Sequence, residues 1–288
     1  MKKIIYVLLA IALVSCRKDK QPVTPTVTTI DNVEELHTEW YGSWVGDFEA
    51  EEYDQNKDIV YVNKINISIK KITYNDVIAQ SIVAGNSRPL SGSFSSPDAD
   101  GNFVLTEPGD NKYDGTFTFK IKGDTLSGSW TSINKNIPVT KRTFKLVKKQ
   151  FAYDPELMLP EEGDYVDRYN PKMEKTEVTE DGETYNEALF RQASESVRTI
   201  NGSTTALKEE GLKNLKKIDL EIIRNTIFAR HGYTFKKKSV RQFFDPVEWY
   251  VPVSEDVSGD LTDLEKKNIV LLKRFEKYAE DNYDSFGR

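Results

Sequence analysis

The sequence predicts an α+β chain of two domains: an N-terminal antiparallel β-barrel or curled sheet, then a small α-helical domain. Three observations carry this reading. From Trp40 to Lys149 apolar residues recur with period two, the spacing of a half-buried strand. From Leu207 onward the spacing becomes helical. Between the two, an acidic stretch containing Pro155, Pro160 and Pro171 follows neither pattern. The length of 288 residues suits one large or two ordinary domains. With 38% hydrophobic and 30% charged residues, the chain is polar yet can bury a core. A net charge of -6 argues against nucleic acid as a partner, since such surfaces are usually basic. One cysteine excludes an internal disulfide framework and a cysteine-cluster zinc site, and two histidines leave little for a His-based metal centre. Neither metal nor cofactor is expected.

Residues 1–15 read as a secretory signal. Lys2 and Lys3 form a positive start, and Ile4 to Val14 is apolar but too short to span a bilayer. Leu13-Val14-Ser15-Cys16 resembles the lipobox of bacterial lipoproteins. In that family cleavage precedes the cysteine, whose thiol and new amine carry acyl chains. The resemblance therefore implies lipidation of Cys16 and attachment to the cell envelope. Arg17 rather than Asp follows Cys16, which by the same resemblance favours the outer membrane. Two or three acyl chains anchor stably where one does not. Residues 16–39, rich in charge, Pro and Thr, are expected to form an extended tether.

Residues 40–149 supply the barrel. Ile65, Ile67 and Ile69 alternate with Asn66, Ser68 and Lys70, and Phe117, Phe119 and Ile121 alternate with Thr116, Thr118 and Lys120. Gly123-Asp124 is a hairpin signal between two such runs. Roughly eight strand-like runs suit an up-and-down arrangement. A short motif recurs as Leu90-Ser91-Gly92-Ser93-Phe94 and Leu126-Ser127-Gly128-Ser129-Trp130. The glycine permits a sharp bend, and the aromatic two residues on lies on the same face. Tyr41-Gly42-Ser43-Trp44 is a looser version. This usage resembles the calycin group of small ligand-binding barrels, the lipocalin- and avidin-like folds. The resemblance implies an apolar pocket lined by Trp40, Trp44, Phe94, Phe117 and Trp130, fit for a small apolar ligand. The alternative is that these aromatics simply fill the barrel, whose interior is barely wider than its side chains.

Residues 150–206 are expected to be an acidic, irregular linker with one hairpin turn at Asp181-Gly182. Between Phe151 and Glu187 twelve acids face three bases, and no EF-hand spacing of calcium ligands occurs.

Residues 207–288 form the helical domain. Leu220, Ile223, Ile227 and Phe228 share a helix face, and Gly232 supplies the left-handed residue that ends the helix. Thr262 and Glu265 form a capping box that starts the last helix. The string Ile223-Arg224-Asn225-Thr226-Ile227-Phe228-Ala229-Arg230-His231-Gly232-Tyr233 closely resembles the YARHG domain. The resemblance continues through Phe243-Phe244, Trp249-Tyr250 and Asn268. Phe228 stands where that family usually has Tyr, which removes a hydroxyl. The family is bacterial and extracytoplasmic, in keeping with the lipobox, and no activity defines it.

Helical phase places Arg224 and Asn268 within apolar faces, so Arg224, Asn225 and Asn268 are expected to form a structural polar network. The alternative is an anion held by Arg224 and Arg230. His231, at a helix C-terminus, complements the helix dipole and can bond the last carbonyls. Lys236-Lys237-Lys238 is either a solvated loop or a contact for an anionic envelope polymer or lipid headgroup. The expected function is thus a lipid-anchored, non-enzymatic binding module of the envelope. A structural spacer or a hydrolase of envelope material are the alternatives. A filled barrel would favour the spacer, and two facing carboxylates in a cleft the hydrolase.

Overall fold

The computed structural model describes residues 34–95, 100–178 and 183–282. Cys16 and the signal segment lie outside the described residues, as does the Asp181-Gly182 turn.

The period-two alternation builds eight strands: β1 (Gly42–Tyr53), β2 (Val62–Ile72), β3 (Val77–Val83), β4 (Asn86–Ser95), β5 (Gly101–Thr106), β6 (Gly115–Lys122), β7 (Thr125–Ser132) and β8 (Val139–Lys149). Each pairs antiparallel with the next, and β1 closes on β8, so no barrel edge is left open. Lys122 pairs with Thr125 across the Gly123-Asp124 turn, and Gly123 takes the φ of 56° that such turns need. A Cβ at Gly92 would lie 2.1 Å from the Val104 carbonyl, and one at Gly128 2.2 Å from that of Thr118. Neighbouring strands therefore approach more closely there than any side chain permits.

The barrel interior is full. Trp44, Ile65, Ile67, Ile69, Leu105 and Ile121 are at most 1% exposed, and Phe103 and Phe119 stack at 4.9 Å. The tether does not remain extended to residue 39. Leu36 N–H donates to the Ile72 carbonyl at 2.9 Å, and Thr38–Trp40 forms a single 3-10 turn at the mouth of the barrel. There Trp44 Nε1 donates to the Trp40 carbonyl at 2.9 Å.

The acidic stretch is not an irregular linker. Val166–Val178 (β9) and Glu183–Gln192 (β10) pair as a two-stranded hairpin, followed by the short helix α1 (Ser196–Thr199). Leu159, Tyr165 and Val197 join the helical core. Its charges are organised: Asp167, fully buried, accepts bonds from Arg191 at 2.5 Å, Asn170 at 2.9 Å and Gln242 at 2.9 Å. Those bonds hold the Asp167 carboxyl below the usual range although burial opposes them.

The helical part continues with α2 (Glu209–Leu212), α3 (Lys217–Arg230), α4 (Lys238–Phe244) and α5 (Asp263–Asn282). Asp219, 1% exposed, caps α3 by accepting Lys216 N–H at 3.1 Å and also fastens Ser194. The Thr262–Glu265 capping box forms as expected, with Glu265 N–H donating to Thr262 Oγ1 at 3.2 Å and Thr262 N–H to Glu265 Oε2 at 2.9 Å. Helix α3 packs along α5 over Ile223, Ile227, Ile269 and Leu272.

Glu34 onward forms one compact unit, in which the barrel and the helical part are docked. Asn66, on the outer face of β2, is 1% exposed because its Nδ2 donates to the Pro252 carbonyl at 2.8 Å. Lys64 on the same face donates to the carbonyls of Val247 and Tyr250.

Candidate functional site

Helix α3 ends in a Schellman motif. Gly232, at φ 71°, donates to the Ala229 carbonyl at 2.9 Å, and Tyr233 N–H to Phe228 at 3.1 Å. The turn is then pinned by residues 250–254, with Val253 N–H donating to the Gly232 carbonyl and Tyr250 Oη to that of Tyr233 at 2.7 Å. Tyr250 itself is 2% exposed.

Around this turn lies a closed polar cluster. His231 Nε2 is 2.9 Å from Glu265 Oε2. The carboxylate can only accept, so the imidazole proton sits on Nε2. Tyr153, from the segment that follows the barrel, stacks on the imidazole at 4.2 Å and donates its hydroxyl to Glu265 Oε1 at 3.1 Å. Burial and the adjacent Glu265 push the Tyr153 phenol up to about 12, so it serves as a neutral donor. Burial pushes the Glu265 carboxyl up, but bonds from Ser203, Thr262 and His231 outweigh it, and the group is held below the usual range. His231 thus bonds a carboxylate rather than the last carbonyls of its helix.

Arg230 is the buried arginine of the motif, 1% exposed. Its Nε donates to the Leu157 carbonyl at 2.7 Å and its Nη1 to Ser203 Oγ at 3.1 Å, while Nη2 rests on Met158 Sδ. Burial pulls its guanidinium down to about 10. Arg224 is instead half-buried, against expectation. It sits at the edge of the α3–α5 contact, forked onto Glu276 at 2.5 and 3.1 Å and bonded to Asn225 Oδ1 at 3.1 Å. The two arginines face different partners and do not converge on one anion. Asn268 does not join Arg224 and Asn225 in one network; it takes Leu207 N–H at 3.0 Å and donates to the carbonyls of Gly202 and Thr205, each at 2.8 Å. Phe228 packs at 5.8 Å from Tyr233, Ala229 is buried, and Trp249 Nε1 donates to the Met158 carbonyl at 2.8 Å.

Residues 197–277 match the YARHG domain family model. The match begins ten residues before the helical boundary read from the sequence, because α1 is part of the same core. No curated protein and no solved structure matches the chain. The namesake residues of the YARHG domain are thus the clamp that joins α3, α5 and the strap of residues 151–160. Sequence reasoning named His231, Arg230 and Glu265 separately. It missed Tyr153, Leu157 and Ser203, whose contribution comes from chain far from the motif.

Of the five barrel aromatics, Phe94 lines a cavity of about 390 Å³ with Phe103 and Phe119, and Trp40, Trp44, Phe117 and Trp130 do not line it. Trp44 and Phe117 are buried in the core, and Trp130 donates to Glu107 Oε2 at 3.2 Å. Trp40 is sandwiched near His37 at 4.1 Å and Phe103 at 5.7 Å. Phe94 packs on Phe103 at the barrel end. The inward-facing aromatics and aliphatics of the strands pack on one another, and the glycines at Gly46, Gly92 and Gly128 let neighbouring strands close in on them. Of the three lysines, Lys236 pairs with Glu255 at 3.4 Å, and Lys238 lies 4.0 Å from Asp58 and over the Tyr169 ring. Among the described residues, no three His, Cys, Asp or Glu side chains cluster as metal ligands do.

Proposed function

We propose that the chain is a non-enzymatic binding module of the bacterial envelope, held to the membrane by acyl chains on Cys16, with the filled barrel as its support. The observation that carries this reading is the closure of the motif cluster. His231 and Glu265 are 4% and 0% exposed as side chains, and Tyr153 covers the ring face. A general acid or base must reach the proton it moves, and this pair spends its bonds on its own chain. The packed barrel core, with Trp44, Phe103 and Phe117 at most 1% exposed, supports ligand contact at the surface. The lipobox at Leu13 to Cys16 supports the anchor.

Two measurements test it. Intact mass of the native protein should show loss of residues 1–15 and acylated Cys16; retained Met1 or a bare thiol refutes the anchor. The mature chain carrying Cys16→Ser should still co-sediment with purified envelope fragments well above an albumin control. A pure spacer tethered only by lipid would stay in the supernatant.

A further inference from the structure

Barrel and YARHG domain meet at a cleft lined by Asp47, Val60, Val62 and Lys64 on one side and Lys238, Arg241 and Asp245 on the other. Lys64 and Arg241 are 8% and 7% exposed. Arg142 is 8% exposed and within electrostatic reach of Arg241. The hydrogen bonds of these cations go largely to neutral groups. Lys64 Nζ donates to two carbonyls, and Arg142 to those of Phe48, Tyr61 and Val60. Arg241 Nη1 donates to Asn63 Oδ1 at 2.7 Å and to Asp245 Oδ2 at 3.2 Å. Its buried Nε has no partner.

Among the described residues lining the cleft, half-buried Asp245 is the carboxylate bonded to one of these cations, Arg241. Asp47 and Asp58 are exposed. Asp167, reached through Gln242, is already bonded to Arg191 at 2.5 Å. Burial raises Asp245 to about 6, which weakens its compensation, and lowers Lys64 to about 8 and Arg142 to about 10. Uncompensated buried cations are costly, and an orphaned guanidinium N–H adds to that cost.

We propose that this junction cleft binds a compact oxyanion, a phosphate or carboxylate group, through Lys238 and Arg241, with Lys64 adding charge from the barrel side. Guanidinium and ammonium groups together recognise such anions by charge-assisted bonds. Because both parts of the fold contribute, occupancy would tighten their docking. The proposal rests on the binding-module reading and names the chemistry of one of its ligands.

The test uses the mature chain with Cys16→Ser and inorganic phosphate or acetate as probes, against chloride at matched ionic strength. Phosphate at saturating concentration should raise the thermal midpoint by about 2–4 °C. Acetate should do so less if phosphate is the preferred group and more if carboxylate is. Lys238→Met and Arg241→Gln should abolish the shift, while Lys122→Met, on a distant barrel turn, should keep it. Lys238 is exposed, so its variant folds and decides the matter even if Arg241→Gln does not. An equal rise in chloride, no rise in either probe, or a rise that survives Lys238→Met overturns the proposal. Envelope co-sedimentation that persists while the phosphate shift is absent sinks this site alone. Loss of both sinks the binding-module reading with it.

Discussion

Replacing Asn268 with leucine removes a carboxamide that fastens α5 to residues 202–207 while nearly keeping volume. Three backbone groups lose their partner: the Gly202 and Thr205 carbonyls and the Leu207 N–H. They are not equivalent. Gly202 is buried, Leu207 intermediate and Thr205 exposed, so water replaces the bond at Thr205 and reaches Gly202 least. An unpaired buried carbonyl costs about 1–3 kcal/mol, and the other two together add roughly one more. The leucine side chain returns about 1–2 kcal/mol of apolar burial. Taking the middle of each range, the expected net loss is about 1.5 kcal/mol by urea unfolding, with an unchanged m-value. Hydrogen exchange at the Leu207 amide should accelerate at the same time. A wild-type midpoint together with a still-protected Leu207 amide would refute the reasoning, because something else would then be holding the loop.

Arg224→Met should cost about 1–3 kcal/mol, since it strands Glu276 in a half-buried site, while Lys236→Met should stay within about 0.5 kcal/mol in the same urea titration. Gly232→Ala forces a side chain into a φ of 71° with its Cβ 2.5 Å from Val253, and should lower stability by about 2–4 kcal/mol in thermal or urea melts. Glu265 has a depressed folded carboxyl, so its contribution is present above the unfolded value of about 4.3 and is lost as pH falls through the folded one. Glu265→Gln should accordingly flatten the acid limb of stability between about pH 5 and 3 relative to wild type; parallel limbs would contradict the assignment.

The barrel was legible because its signal is local. Each inward position of β6, Phe117, Phe119 and Ile121, alternates with a polar one, and the Gly92 and Gly128 repeats mark where strands crowd. The hairpin β9–β10 was legible only through its turn signal, Asp181-Gly182, because its strands carry polar and charged residues on both faces, so that Lys172, Glu174 and Glu187 read as a solvated linker. Helical phase alone put Arg224 inward and was silent on Arg230. What buries Arg230 is the carbonyl of Leu157, a residue 73 positions upstream, which no period within α3 encodes. Asn66 and Lys64 failed in the same way. Strand alternation assigns them to solvent, and only the docking of residues 245–252 covers them.

The strap of residues 151–160 bears on what counts as a transplantable piece. The family match starts at residue 197, yet Arg230, Trp249 and His231 find Leu157, Met158 and Tyr153 before that point. A graft of 197–277 onto a foreign scaffold would import a guanidinium left with Ser203 but without the Leu157 carbonyl, and an imidazole with one bare face. The segment recognisable by sequence is thus smaller than the one that is chemically closed. Swaps of this module should cut ahead of Phe151, where the barrel ends, rather than at the first matched residue.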